Sequence, residues 1–199
     1  MDLAAPISRR SLLLFGTGIA WGVGRQMHLS LLPLYTKEYK PVSSEFLAAA
    51  RTALEKTYRV VTAVSQPEFY NGPTEGNVML DYLSSRDGRV IGIMSAPLRA
   101  RSPNFSGLKN VCGNAYTPSD LHEWPTASII TTYEFQNMDE ESARRHLGVV
   151  SVHELGHNLG AWDCTDRSCY MFGEVDVSGK YLPSKFCMTH RGLLWQYLR

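Results

Sequence analysis

The residues best suited to chemistry in this chain are His153, Glu154 and His157, followed by Gly160 and Asp163. Histidines at i and i+4 project from one helical face, about one turn apart. Two imidazole nitrogens so placed can reach a single ion at about 2.0–2.1 Å. Glu154 then points beside the ion rather than at it, where a general base for an ion-activated water belongs. Gly160 can end the helix and turn the chain back, which lets Asp163 approach from a third direction. Zinc accepts carboxylate oxygen, and two histidines with one carboxylate form a catalytic ligand set. An anionic third ligand makes the ion a weaker Lewis acid than a third histidine would. The competing readings are a helix whose histidines are satisfied by solvent or core, and an exposed loop aspartate.

A second constellation follows at once. Cys164 and Cys169 form one close pair, and Cys187 and His190 another, with 17 residues between the pairs. Three thiolates and an imidazole fill a zinc tetrahedron, so this site would hold structure and not react. It would staple a tail with little apolar content of its own. Disulfides are the alternative in an exported chain, although three cysteines here cannot pair evenly. Cys112 reads as a small buried residue.

These residues need a scaffold. His28 to Tyr35 reads as a first strand. Ser43 or Ser44 can cap a helix with Phe46, Leu47, Ala50 and Leu54 at core spacing. Arg59 to Val64 is a β-branched strand, 72–76 a loop, and Val78 to Leu83 a short helix. Asp87-Gly88 is a turn before a strand over Arg89 to Met94. Pro97 to Gly107 reads as loop and Ala127 to Phe135 as strand. The longest helix starts at an Asn137/Glu140 capping box and runs through Leu147, Val150 and Leu155 to Leu159. Gly192 to Leu198 reads as a terminal helix. Strands alternating with helices indicate an α/β (α+β) layered domain.

The chain has 199 residues, enough for one core, with 44% apolar and 20% charged residues. A net charge of +1 supplies no basic surface for nucleic acid. The first 25 residues stand apart. Ser8-Arg9-Arg10-Ser11-Leu12-Leu13 resembles a twin-arginine export motif, and the apolar run Leu12 to Val23 is short for a membrane span. The division is therefore 1–25, a signal or N-terminal anchor, and 26–199, the folded domain. Export places the protein in the periplasm or outside the cell, tethered at most by that segment. A twin-arginine route carries folded, metal-loaded proteins, which fits metal uptake in the cytoplasm.

His153, Glu154, His157, Gly160, Asp163, Cys164, Cys169, Met171 and Cys187 together resemble the archaemetzincins, small metzincin-type zinc peptidases with an additional structural zinc. RVIGIMSAPL, LKNVCGNAY and ASIITTYEF follow the order of strands which that family has before its zinc helix. The resemblance covers most of the domain, with its specific motifs in the last 50 or so residues. It implies a metzincin-like single domain: a mixed twisted sheet, a long zinc-binding helix and an irregular C-terminal part holding the structural zinc. It implies two zinc ions, one on His153, His157 and Asp163 and one on Cys164, Cys169, Cys187 and His190. It implies Met171 in the turn beneath the first, and ASIITTYEF as an edge strand that pairs with an extended peptide. Two positions depart from the pattern. Asp163 replaces the third histidine, as in the snapalysins, and His190 replaces the last cysteine. The implied activity is hydrolysis of peptide bonds in a peptide or protein substrate by zinc-activated water, with Glu154 as general base, in a monomer. The alternative is a zinc-stabilised peptide-binding module without turnover. His146, on the same helical face as His153, either lines the cleft or packs. His122 carries no reading. Tyr170 and Tyr181 are candidate oxyanion donors.

Overall fold

The computed structural model describes residues 26–101, 107–116, 127–173 and 182–199. The twin-arginine-like segment, His122 and Tyr181 lie outside the described residues. The elements are β1 (Met27–Tyr35), α1 (Ser44–Thr57), β2 (Val60–Val64), β3 (Glu68–Phe69), α2 (Gly76–Ser84), β4 (Arg89–Met94), β5 (Arg99–Arg101), β6 (Leu108–Asn110), β7 (Gly113–Ala115), β8 (Ala127–Thr131), a 3-10 turn (Tyr133–Phe135), α3 (Glu140–Asn158) and α4 (Met188–Leu194).

A mixed sheet runs β2-β1-β4-β8-β7, with β3 extending the β2 side of β1. Every pairing in it is parallel except β7 with β8. Helices cover both faces, so the central strands are apolar on both sides. Leu29, Leu31, Ile91, Ile93 and Ile130 pack toward α1 and α3. Leu32, Leu34, Val90, Met94 and Ile129 pack with the α2 residues Met79, Leu80 and Leu83. Gly92 belongs to the second face, where a Cβ would stand 2.8 Å from Leu83 Cδ1 and 2.9 Å from Ile129 Cδ1. Pro33 lies inside β1. Leu31 and Tyr35 direct their carbonyls toward β2 and β3, accepting from Ser65 and Tyr70. The missing N–H of Pro33 therefore points into the break between those two strands, where no ladder partner is lost.

α3 is the helix the site depends on. It is buried nearly all round from His146 to Asn158, because it lies on the sheet and is covered by α1 and the C-terminal segment. Gly148 lets α1 approach, with Ala53 Cβ only 3.0 Å from where its own Cβ would be. The buried Tyr58 hydroxyl donates to the Val152 carbonyl at 2.9 Å. The helix ends at Gly160, whose φ of 93° is the left-handed value that favours glycine.

Four expected features differ. The cap of α3 is Asp139, which accepts from the Ser142 N–H at 2.9 Å, and not Asn137. The 3-10 turn carries the chain two residues further before the helix opens. β8 stops at Thr131, whose hydroxyl donates to the Ala96 carbonyl and accepts from the Tyr133 N–H, so the strand bends before Tyr133. The terminal helix spans Met188–Leu194, earlier than expected. After it the chain makes a turn over 195–197, and its end stitches onto the segment just before β2: Leu198 bridges Tyr58, the Arg59 N–H donates to the Tyr197 carbonyl and the Arg199 N–H to that of Thr57. Part of the expected loop over 97–107 is strand, β5, paired with β6. Among the described residues, no helix is long and apolar enough to cross a membrane.

Candidate metal centre

His153 and His157 stand on adjacent turns of α3 with rings 4.5 Å apart at near right angles. Each ring uses Nδ1 on a carbonyl: His153 on Tyr170 and His157 on Ala161, both at 2.8 Å. A carbonyl only accepts, so Nδ1 carries the proton in both rings and both Nε2 lone pairs are free. Those lone pairs face one another across 2.9 Å, a repulsive arrangement until a cation or a proton stands between them. Asp163 Oδ1 lies 3.7 Å from His153 Nε2 and 3.5 Å from His157 Nε2. Two bonds of about 2.1 Å at a tetrahedral angle set donor atoms about 3.4 Å apart, so the donor set fits zinc.

The electrostatics agree with a cation-seeking cluster. Burial, and then the neighbouring His157, pull the His153 imidazole down to about 4. Burial also pulls at His157, but Asp163, Glu154 and the Ala161 carbonyl outweigh it and leave that ring above its ordinary value. The neighbouring His157 above all, with His153 and His190 beyond it, holds Asp163 below the usual carboxylate range. Glu154 is 5% exposed, and burial pushes its carboxyl up to about 7. A carboxyl poised there suits proton transfer near neutral pH.

Glu154 is positioned by the edge of the sheet. Its carboxylate lies against Gly113 of β7, where any Cβ would collide with it. This corrects the expected edge: β8 is flanked by β4 and β7, and β7 is the outer strand. Met171 is fully buried, and its sulfur sits against Gly156, the residue before His157, again where a Cβ would be.

The second group also converges. Cys164 and Cys187 sulfurs are 3.8 Å apart, and His190 Nδ1 lies 3.1 Å from Cys187 Sγ and 3.8 Å from Cys169 Sγ. All its donor atoms fall within 4.8 Å of one another. Zinc–sulfur bonds of about 2.3 Å place sulfurs about 3.8 Å apart, so this set fits zinc too. Every described cysteine is a free thiol, and Cys112 stands apart from the group. The His190 backbone and ring hold Cys187 down to about 6, whereas burial pushes Cys169 to about 11 and Cys112 to about 12.

Two candidates fall away. His146 is fully buried, packs on Phe135 and bonds the Ser142 carbonyl, so it belongs to the core and not to the cleft. The Tyr170 ring packs on Phe186, and only its carbonyl touches the site. Some residues that hold the site together are not legible in the sequence, Asn158 among them. Asn158, buried at the end of α3, donates to the Tyr116 and Ala127 carbonyls and accepts from Ser128.

By sequence the chain matches no protein family and no curated protein. By structure it is similar to archaemetzincin from Archaeoglobus fulgidus in complex with malonate, with a TM-score of 0.64 and 19% identity over 84% of this chain and 99% of that one. Archaemetzincin from Methanopyrus kandleri matches with a TM-score of 0.64 and 21% identity over 87% and 96%. A zinc-dependent peptidase from Methanocorpusculum labreanum matches with a TM-score of 0.58 and 16% identity over 84% and 99%. The fold is archaemetzincin-like, and these structural neighbours include a zinc-dependent peptidase.

Proposed function

We propose that this chain is a zinc-dependent metallopeptidase. The observation that carries the reading is the pair of Nε2 lone pairs facing each other beside Asp163, with a buried carboxyl against the sheet edge. His153, His157 and Asp163 would hold the catalytic zinc. Cys164, Cys169, Cys187 and His190 would hold a second, structural one. When bound, zinc at the first group supplies Lewis acidity that polarises the scissile carbonyl and acidifies the attacking water.

The rest is the work of the chain. Glu154 takes the proton of the attacking water and delivers it to the leaving amine. Its raised pKa lets one group do both near neutral pH. The Tyr170 and Ala161 carbonyls keep both imidazoles in the tautomer that leaves Nε2 unprotonated. β7 carries no strand on its outer side among the described residues. An extended peptide can pair there, which draws its backbone past Gly113 and so past Glu154. The substrate is a peptide or protein, the working form a monomer, and the site of action outside the cytoplasm after export through residues 1–25.

The test is Glu154→Ala assayed on a peptide library with a chelator control. The variant should keep its zinc and lose cleavage. Normal cleavage by the variant would refute the mechanism. A wild-type protein that holds both metals and cleaves nothing would be the peptide-binding module instead.

A further inference from the structure

Asp163 is the one donor of the first group that lies beyond the helix. Its side chain is 67% exposed, and its polar contacts are with the two histidines. Its position therefore depends on its backbone, which is clamped from both sides. On one side the Trp162 carbonyl accepts from His190 Nε2 at 2.9 Å. On the other the Cys164 N–H donates to the Met171 carbonyl at 2.6 Å, and the Gly173 N–H donates to Cys164.

The His190 bond has a tautomeric consequence. Donation to a carbonyl puts the ring proton on Nε2, which leaves the Nδ1 lone pair facing the sulfurs of Cys187 and Cys169. One ring can thus serve a cation at the cysteine group with one nitrogen and the residue before Asp163 with the other. His190 is 2% exposed, and the Trp162 indole packs on it with centroids 5.5 Å apart, so the ring has little freedom to let go.

We propose that His190 is a positioning residue for Asp163, and that through it metal at the cysteine group tightens metal at the histidine–aspartate group. The inference rests on the reading of His153, His157 and Asp163 as a metal centre. The two positions at which the sequence departs from the archaemetzincin pattern, 163 and 190, become the two ends of one link. Coupling between binding sites is reciprocal, so each metal raises the affinity for the other by the same factor.

The experiment is a double-mutant cycle on the full chain with Co2+ as the probe. Thiolate-to-cobalt charge transfer reports the cysteine group, and chelator competition gives the Kd of the other. His190→Cys keeps four donors for the second metal but removes the N–H that Trp162 accepts. With the charge-transfer band intact, the first-group Kd should rise by roughly 10–100-fold, the usual effect of losing an outer-shell partner. In an Asp163→Ala background the same change should add nothing. An unchanged Kd, or an equal rise with and without Asp163, overturns the proposal. If His190→Cys fails to hold cobalt, reciprocity gives a second measurement. Asp163→Ala must then weaken cobalt at the thiolates, and unchanged affinity there overturns the link. A parent protein that binds cobalt only through thiolates would sink the peptidase reading together with the link. Two bound ions with an additive cycle would sink the link alone.

Discussion

Replacing Gly113 by alanine perturbs the proposed base without touching the metal ligands. Gly113 does not have a positive φ, so alanine suits the backbone of β7. Its Cβ, however, would stand 2.7 Å from Glu154 Cδ and 2.8 Å from Cγ. Carbon atoms pack at about 3.5 Å or more, so the carboxyl must retreat by about 1 Å. A misplacement of about 1 Å at a reacting group costs on the order of 100-fold, or about 2.7 kcal/mol of transition-state stabilisation. Gly113→Ala should therefore lose about 100-fold in kcat and keep its zinc content. KM should hold, because the β7 backbone that would pair with a peptide is intact. The assay is steady-state cleavage of the best peptide from the library, with metal analysis of the same sample. Full activity in Gly113→Ala would mean that contact with β7 does not set the working position of Glu154, and the base assignment would fall with it.

Asn158→Ala removes the amide shared by the Tyr116 and Ala127 carbonyls and the Ser128 hydroxyl, leaving Ala127 and Ser128 only longer bonds of 3.4 Å to the Tyr116 N–H and the Glu154 carbonyl. Chemical denaturation should show a loss of about 1–3 kcal/mol. Asp163→His tests the charge of the site. The anionic Asp163 raises the Glu154 pKa, and a neutral ligand removes that contribution and makes zinc the stronger Lewis acid. Both effects lower the pKa of the acidic limb, so that limb of the pH–rate profile should move to lower pH; an unmoved limb refutes the argument. Thiol titration of the unfolded, chelated protein without reductant should find all four cysteines reactive, as the free thiols of the fold require. Fewer would indicate disulfides and exclude the thiolate metal group.

The parts legible in the sequence are those whose signal is local. β1, β2 and β4 announce themselves as apolar runs bounded by turn residues, and His153, Glu154 and His157 by helical spacing. The cysteine group is legible because metal ligands come in close pairs. What escaped depends on tertiary contact. Gly113 sits in a three-residue strand, GNA, with no apolar pattern, and its importance lies in what stands against it. Gly156 is an ordinary helix glycine until Met171 is packed beneath it. Asn158 looks like a helix-terminal polar residue, and only the fold brings Tyr116, Ala127 and Ser128 to it. The resemblance implies β8, ASIITTYEF, as the edge of the sheet, whereas β7 stands outside it among the described residues. A strand's place in a sheet depends on its neighbours, and β8 is apolar because it is covered on both sides. The start of α3 is ambiguous in the sequence because Asn137 and Asp139 are equally good caps, and the 3-10 turn decides between them.

Asn158 acts as a clasp between the last turn of α3 and the sheet: one amide holds the carbonyl of Tyr116, just after β7, and that of Ala127, at the start of β8. The helix that carries both histidines is thereby tied to the same strand pair that sets Gly113 against Glu154. A change at the sheet edge is thus felt at the histidine helix through a single side chain.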